Sequence, residues 1–188
     1  MFGAYLRQVY GGTVFTTHNI IASEATPEMA PKRSGWDWVL EIVSLTVVIT
    51  IFAVVLSHWT ELPAKIPSHF GTSGSPNAWG DKSQLWILPV TAAVLYILLT
   101  AASRYQRLIN VPLAIDRDAP EVRRLLLSMA IVLKTVMVFV FAYITWANVN
   151  TALGRGNGLG RAFLPIMLLA TTIPMVIYLM RLRRYRKS

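Results

Sequence analysis

Lys134 is the residue whose chemistry stands out first. It lies nine residues into the apolar run LLLSMAIVLKTVMVFVFAYITW, roughly 14 Å along a helix axis from Leu125. An ammonium group at that depth in a bilayer costs about 2.5–3.5 kcal/mol on insertion scales, and such residues mark polar paths, proton relays or internal ion pairs. Glu41 sits about one turn into a different apolar run. It reads either as a headgroup-level acid or as the partner of a base inside a helix bundle. Lys134 likewise has two readings: an intramembrane functional group, or a structural lysine that reaches Glu41, Ser44 or Tyr96.

A second set of reactive side chains surrounds the stretch WTELPAKIPSHFGTSGSPNAWGDKSQLWILP at 59–89. His69 beside Phe70 can order a turn through its ring nitrogens, bind a ligand, or titrate near neutral pH. His58, Glu61, His69 and Asp81 would make a zinc site only if the loop brought three or four of them together. Asp81 and Lys82 can pair with each other or cap the following helix, and Lys82 can meet a ligand carboxylate. Trp79 reads as an interface anchor. The glycine-rich GRGNGLGR at 154–161 has neither the preceding strand nor the lysine–serine pair of a phosphate loop, so it reads as a linker. No nucleophile–base pair, paired carboxylates or metal signature stands out. The sequence therefore predicts no catalytic residue, no metal, no cofactor and no enzyme.

Four apolar runs must position these groups. They cover about 38–57, 85–103, 125–146 and 162–180, each near the ~20 residues that cross a hydrocarbon core. Trp36, Trp38 and Trp59 bracket the first as an aromatic belt does. Pro89 and Pro165 fall in first turns, where a missing N–H is tolerated, and Pro174 is internal. Asp118 is a candidate N-cap for the third run, before Ala119, Pro120 and Glu121. The predicted fold is all-α: a four-helix transmembrane bundle over 36–181, with an ordered extracytoplasmic loop between the first two helices. Residues 1–35 form a cytoplasmic or interfacial tail, and 182–188 a basic cytoplasmic one.

Composition agrees. Of 188 residues, 54% are hydrophobic and 14% charged, against about 25% charged in a soluble domain. There are no cysteines, and the net charge is +9. The basic residues alternate by side. Arg7, Lys32 and Arg33, then Arg104, Arg107, Arg117, Arg123 and Arg124, then Arg181, Arg183, Arg184, Arg186 and Lys187 make thirteen on one side. Lys65, Lys82, Arg155 and Arg161 make four on the other. The positive-inside rule puts both termini in the cytoplasm of a plasma membrane and the 59–89 loop outside. Arginines spread over separate helix ends suit anionic lipid headgroups. They do not form the aromatic-studded groove of a nucleic-acid platform, so no nucleic acid is expected.

The loop run LPAKIPSHFGTSGSPNAWGDK resembles a small bacterial membrane domain of unknown function. That domain also forms the N-terminal part of SdpI-type proteins, which protect cells from a secreted peptide toxin. The resemblance rests on Leu62, Pro63, Ile66, Pro67, His69, Phe70, Gly74, Trp79, Gly80 and Lys82, with Asn77 where the family carries an acid. Asn110 and Pro112 resemble a further family element. The match covers about a quarter of the chain, and the second half of the SdpI-type proteins has no counterpart here. The resemblance implies an outward loop recognising a peptide or envelope ligand through His69, Trp79, Lys82 and Asn77, in sensing or toxin protection. Two other readings stand beside it: a small structural subunit of a larger membrane complex, and a transporter or channel component using Lys134 with Pro174 as hinge.

Overall fold

Ser34 starts the first helix earlier than hydropathy does. Its hydroxyl accepts from the Asp37 amide at 3.2 Å, and its own amide donates to the Asp37 carboxylate at 2.7 Å. This reciprocal capping box opens α1 at Gly35–His58. In the computed structural model, which describes residues 32–104, 115–116 and 119–186, α1 is followed by strands β1 (Lys65–Phe70) and β2 (Pro76–Asp81). A short 3-10 helix (Lys82–Trp86) and three helices complete the order: α2 (Ile87–Arg104), α3 (Pro120–Ala152) and α4 (Phe163–Arg183). The tail at 1–31 and residues Asn110, Pro112 and Asp118 lie outside the described residues. Ala119 occupies the N-cap position of α3 and makes no side-chain cap.

Among the described residues, four helices are long and apolar enough to cross a membrane, the makeup of a multi-pass membrane protein. Their surfaces are inverted relative to a soluble bundle. On α1 the buried residues are Asp37, Glu41, Ser44, Val48, Ile51 and Val55, a stripe with three- and four-residue spacing. The outward residues include Trp36, Ile42, Ile49 and Leu56. One narrow seam therefore faces the protein, and the apolar remainder fits hydrocarbon.

The all-α expectation needs correcting, because the 65–81 segment forms an antiparallel hairpin. Lys65 stands opposite Asp81, Ile66 opposite Gly80, and Pro67 opposite Trp79, and the register shifts beyond Pro67. Proline and glycine usually argue against a strand. Here the ladder is only two strands wide, so the prolines interrupt no central strand. The Lys82 amide donates to the Ala64 carbonyl at 3.0 Å and closes the base of the hairpin.

α3 is the axis of the molecule, packing against α1, α2, α4 and β1. Its 33 residues make about 50 Å of helix, against ~30 Å of hydrocarbon. The excess beyond the expected 125–146 supports other elements at both ends. At one end Val149 joins Val55, Leu62, Ile66 and Leu85 beneath the hairpin. At the other, Val122, Leu126 and Met129 pack on Ile115 and Leu182. Midway, Val48, Ile51, Ala92 and Val138 bring α1, α2 and α3 together. In α4, whose main packing is on α3, Leu182 is the buried residue.

Candidate functional site

Two polar assemblies stand out, one inside the bundle and one at its hairpin end. The inner one is built on Lys134, which is fully buried. Its Nζ donates to Glu41 Oε2 at 2.6 Å and to Thr100 Oγ1 at 2.9 Å. The same ammonium lies 4.6 Å from the Tyr96 ring centroid. Of the three protons of an ammonium, two go to these oxygens, and the Tyr96 ring lies beside it. Side chains tilt toward the N-terminus of their own helix, which brings Lys134 down toward the start of α3 and the level of Glu41.

Glu41 is held on several sides. Tyr96 donates to its Oε1 at 3.4 Å, and Arg33 lies 3.8 Å from its Oε2 while also covering the Trp38 ring. Beside it the Ser44 and Thr135 hydroxyls are 2.9 Å apart. The cluster therefore ties α1, α2 and α3 together at one depth.

The outer assembly starts at the hairpin tip. The Leu159 amide donates to the Gly74 carbonyl at 2.7 Å, and the Leu159 carbonyl accepts from Tyr143 Oη at 2.9 Å. Tyr143 in turn stacks on Phe163 at 5.3 Å. The backbones touch closely at this point. A Cβ on Gly158 would run into the Gly74 carbonyl oxygen, and one on Gly74 would run into the Gly160 backbone. The 154–161 segment, read from sequence as a linker, is thus the seat on which the hairpin tip rests. Asn148 supports the hairpin from below by donating to the Pro67 carbonyl at 2.9 Å. Arg155 pairs with Glu61 at 3.2 Å on the exposed side.

Between the tip and this seat lies a cleft of about 620 Å³, whose lining includes His69, Phe70, Ser73, Asn77, Leu159 and Phe163. His69 Nδ1 is 2.6 Å from Asn77 Oδ1. An amide oxygen only accepts, so Nδ1 is the donor in this contact and Nε2 is left for another partner. The site can thus offer a ring nitrogen, an amide N–H₂ and aromatic surface to a hydrogen-bonding ligand.

The expected loop residues separate into three places. His69, Asn77, Phe70 and Gly74 meet at the cleft. Lys82 is at the hairpin base, donating to the Trp59 carbonyl at 3.3 Å with its ammonium 4.8 Å from the Trp59 ring. Trp79 is exposed on β2. Of the remaining motif residues, Pro67 is buried, Pro63 is exposed, and Gly80 faces the Gln84 side chain. Asp81 caps the 3-10 helix by accepting from the Ser83 amide at 2.8 Å. Hydrogen bonds from the Ser83 side chain and backbone hold its carboxyl below the usual range, with Lys82 adding to the effect. His58 stays local, with Nδ1 3.0 Å from Ser57 Oγ and from the Val54 carbonyl. Sequence reasoning missed Thr100, Tyr143, Asn148 and Leu159. Only Asn148, an amide near the end of an apolar helix, carried a visible signal.

Residues 45–93 match the family profile described as "Domain of unknown function (DUF1648)". The matched stretch runs from within α1, through the hairpin, into α2. An uncharacterized protein of Archaeoglobus fulgidus is 30% identical over 78 residues. The alignment covers 37% of this chain and 43% of that protein, so the chain spans less than half the length of the curated relative it matches. No solved structure matches. The chain is similar, from within α1 through the hairpin to the start of α2, to proteins carrying a domain of unknown function.

Proposed function

We propose that the protein is a non-enzymatic receptor of the plasma membrane, with both termini cytoplasmic and the hairpin outward, that recognises a peptide or envelope ligand in the cleft at the hairpin tip. The observation that carries this reading is the docking of Gly74 on Leu159. It gives the cleft two walls from distant parts of the chain, and a concave site with few polar groups and aromatic surface is the usual form of a ligand pocket. The thirteen-to-four distribution of basic residues supports the orientation. The likeness of the loop to SdpI-type proteins supports a peptide ligand and a role in sensing or toxin protection. The engagement of the Lys134 ammonium favours a framework role over a transport path.

A photoreactive residue placed at Phe70 or Asn77 tests this in intact cells. The expected result is a discrete adduct with a peptide or envelope component that is absent when the probe sits at lipid-facing Ile49. The adduct should weaken when Gly158→Ala loosens the seat. The same adducts from Ile49 as from the cleft would end the proposal.

A second reading is favoured by α4. Its outward face is mainly apolar as far as Met180, before the exposed Arg181 and Arg183, and includes Ile166, Leu169 and Ile173, which suits a subunit of a larger membrane complex. Purification in mild detergent with stoichiometric partners would select that reading.

A further inference from the structure

The seam between α3 and α4 carries a feature that the hairpin does not explain. At its end near Pro120 and Arg183, a cavity of about 630 Å³ is lined by Glu121, Arg124, Ser128, Tyr178, Arg181 and Arg184, among others. Three guanidiniums and one carboxylate line it, an excess of two positive charges in the lining, with the capping carboxylate Asp37 of α1 close enough to act on Tyr178. Arg124, Arg181 and Arg184 make no ion pair among the described residues. Guanidinium forks match phosphate oxygens in bidentate fashion, and the Tyr178 and Ser128 hydroxyls add donors.

Further along the same seam lies a mainly apolar groove of about 610 Å³, which starts at Thr135 and Ala170, continues past Phe139 and Ile166, and ends at Tyr143 and Phe163, where Arg161 also lines it. The two cavities share a helix face. Glu121, Ser128 and Thr135 are spaced by seven on α3, and Ile166, Ala170, Pro174 and Tyr178 by four on α4, so each set lies on one face or ridge. The distance between them has physical meaning. From Leu125 to Thr135 is about 15 Å of helix, half of a ~30 Å hydrocarbon core and so one leaflet. A molecule with a phosphate at Arg124 and Arg184 and a tail one leaflet long would reach the near rim of the groove, at Thr135 and Ala170, while the rest of the groove runs on toward Tyr143 and Phe163.

We propose that this seam is a binding site for a single anionic phospholipid, its phosphate headgroup held by Arg124, Arg181 and Arg184 and an acyl chain lying along α3 and α4. The proposal rests on the membrane reading of the helices and is independent of what the hairpin recognises. The excess of positive charge selects a headgroup without a compensating amine. The occupant also explains why α4 meets α3 at both ends, through Leu182 and through the Phe163–Tyr143 stack, yet leaves open space between.

Full-length protein in mild detergent, titrated with phosphatidylglycerol or phosphatidylcholine and read by native mass spectrometry and thermal stability, tests the assignment. One phosphatidylglycerol per chain is expected to bind in preference to phosphatidylcholine. A basic side chain near anionic lipid contributes on the order of five-fold, so the pair Arg181→Gln and Arg184→Gln should weaken binding about 30-fold. Ala170→Trp fills the groove and should prevent retention of phosphatidylglycerol, while inorganic phosphate, which needs only the head site, protects parent and variant alike. Arg124→Gln repeats the headgroup test should the pair fail to fold. Equal binding of the two lipids, no loss in the arginine variants, or equal stabilisation by inorganic phosphate and phosphatidylglycerol would overturn the proposal. So would a partner helix co-purifying in the groove.

Discussion

Glu41 and Lys134 have unequal needs, and that inequality is testable. Lys134 is fully enclosed, with Glu41 as its anionic contact. Glu41 keeps a second cation, Arg33, at 3.8 Å. Removing one member of a buried pair costs about 3–5 kcal/mol, whereas replacing both by apolar groups of similar volume is often neutral or stabilising. Glu41→Gln should therefore destabilise the bundle by about 3–5 kcal/mol, more than Lys134→Met, and the double variant should recover most of the loss. Thermal unfolding of all four proteins in one detergent gives the cycle, and additive losses would refute the coupling. Asp81 gives a second prediction. Its carboxyl is held low by Ser83, so the folded form favours the charged state. That contribution is complete above the unfolded value of about 3.9 and is lost as pH falls through the lower folded value. Asp81→Asn keeps a capping side chain and should remove this pH dependence from the amide protection of the 3-10 helix. Identical pH profiles for parent and variant would contradict it. Both ionisable residues were conspicuous in the sequence because a charge in an apolar run has few uses. Tyr96 was among the partners the sequence offered Lys134, whereas Thr100 was not, since a threonine hydroxyl in a membrane helix also satisfies its own backbone.

Among the elements, the hairpin was the least legible. Pro67, Pro76 and Gly80 read as turn formers, and periodicity over six-residue strands gives little to offset them. The docking of its tip was hidden for a different reason: it is a backbone contact, and no side chain announces it. What the sequence did contain was four glycines in 154–161, three of which prove to hold positive φ. Their roles differ. Gly158 has φ 108° and would drive a Cβ into the Gly74 carbonyl, while Gly154 has φ 71° and open space around it. Gly154→Ala should cost about 1–2 kcal/mol, the penalty of a left-handed alanine. Gly158→Ala adds the backbone collision and should also release the seat. Hydrogen exchange of the Leu159 amide separates the two, because fast exchange is expected in Gly158→Ala and near-parent protection in Gly154→Ala. Equal protection in both variants would mean that the Gly74 contact does not hold the tip.

At the scale of the molecule, the four spans were readable because lipid imposes one strict demand, an unbroken apolar helix of sufficient length. The length of α3 was not readable, since its extra turns lie outside hydrocarbon and follow tertiary needs: supporting the hairpin at one end and the Ile115–Leu182 cluster at the other. The proposed orientation rests on the distribution of charge and has a direct consequence. With thirteen basic residues on one side and four on the other, the hairpin tip should be outside the cell. The chain has no cysteine, so a single introduced thiol reports without background. Ser73→Cys, on the exposed tip, should react in intact cells with a maleimide that cannot cross membranes. Ser188→Cys should react only after permeabilisation. The reverse pattern would place the cleft in the cytoplasm, where a secreted peptide does not reach it, and would remove the receptor reading together with the orientation. The phospholipid seat would survive that result, because the arginines at the other end of α3 and α4 would still meet headgroups, those of the opposite leaflet.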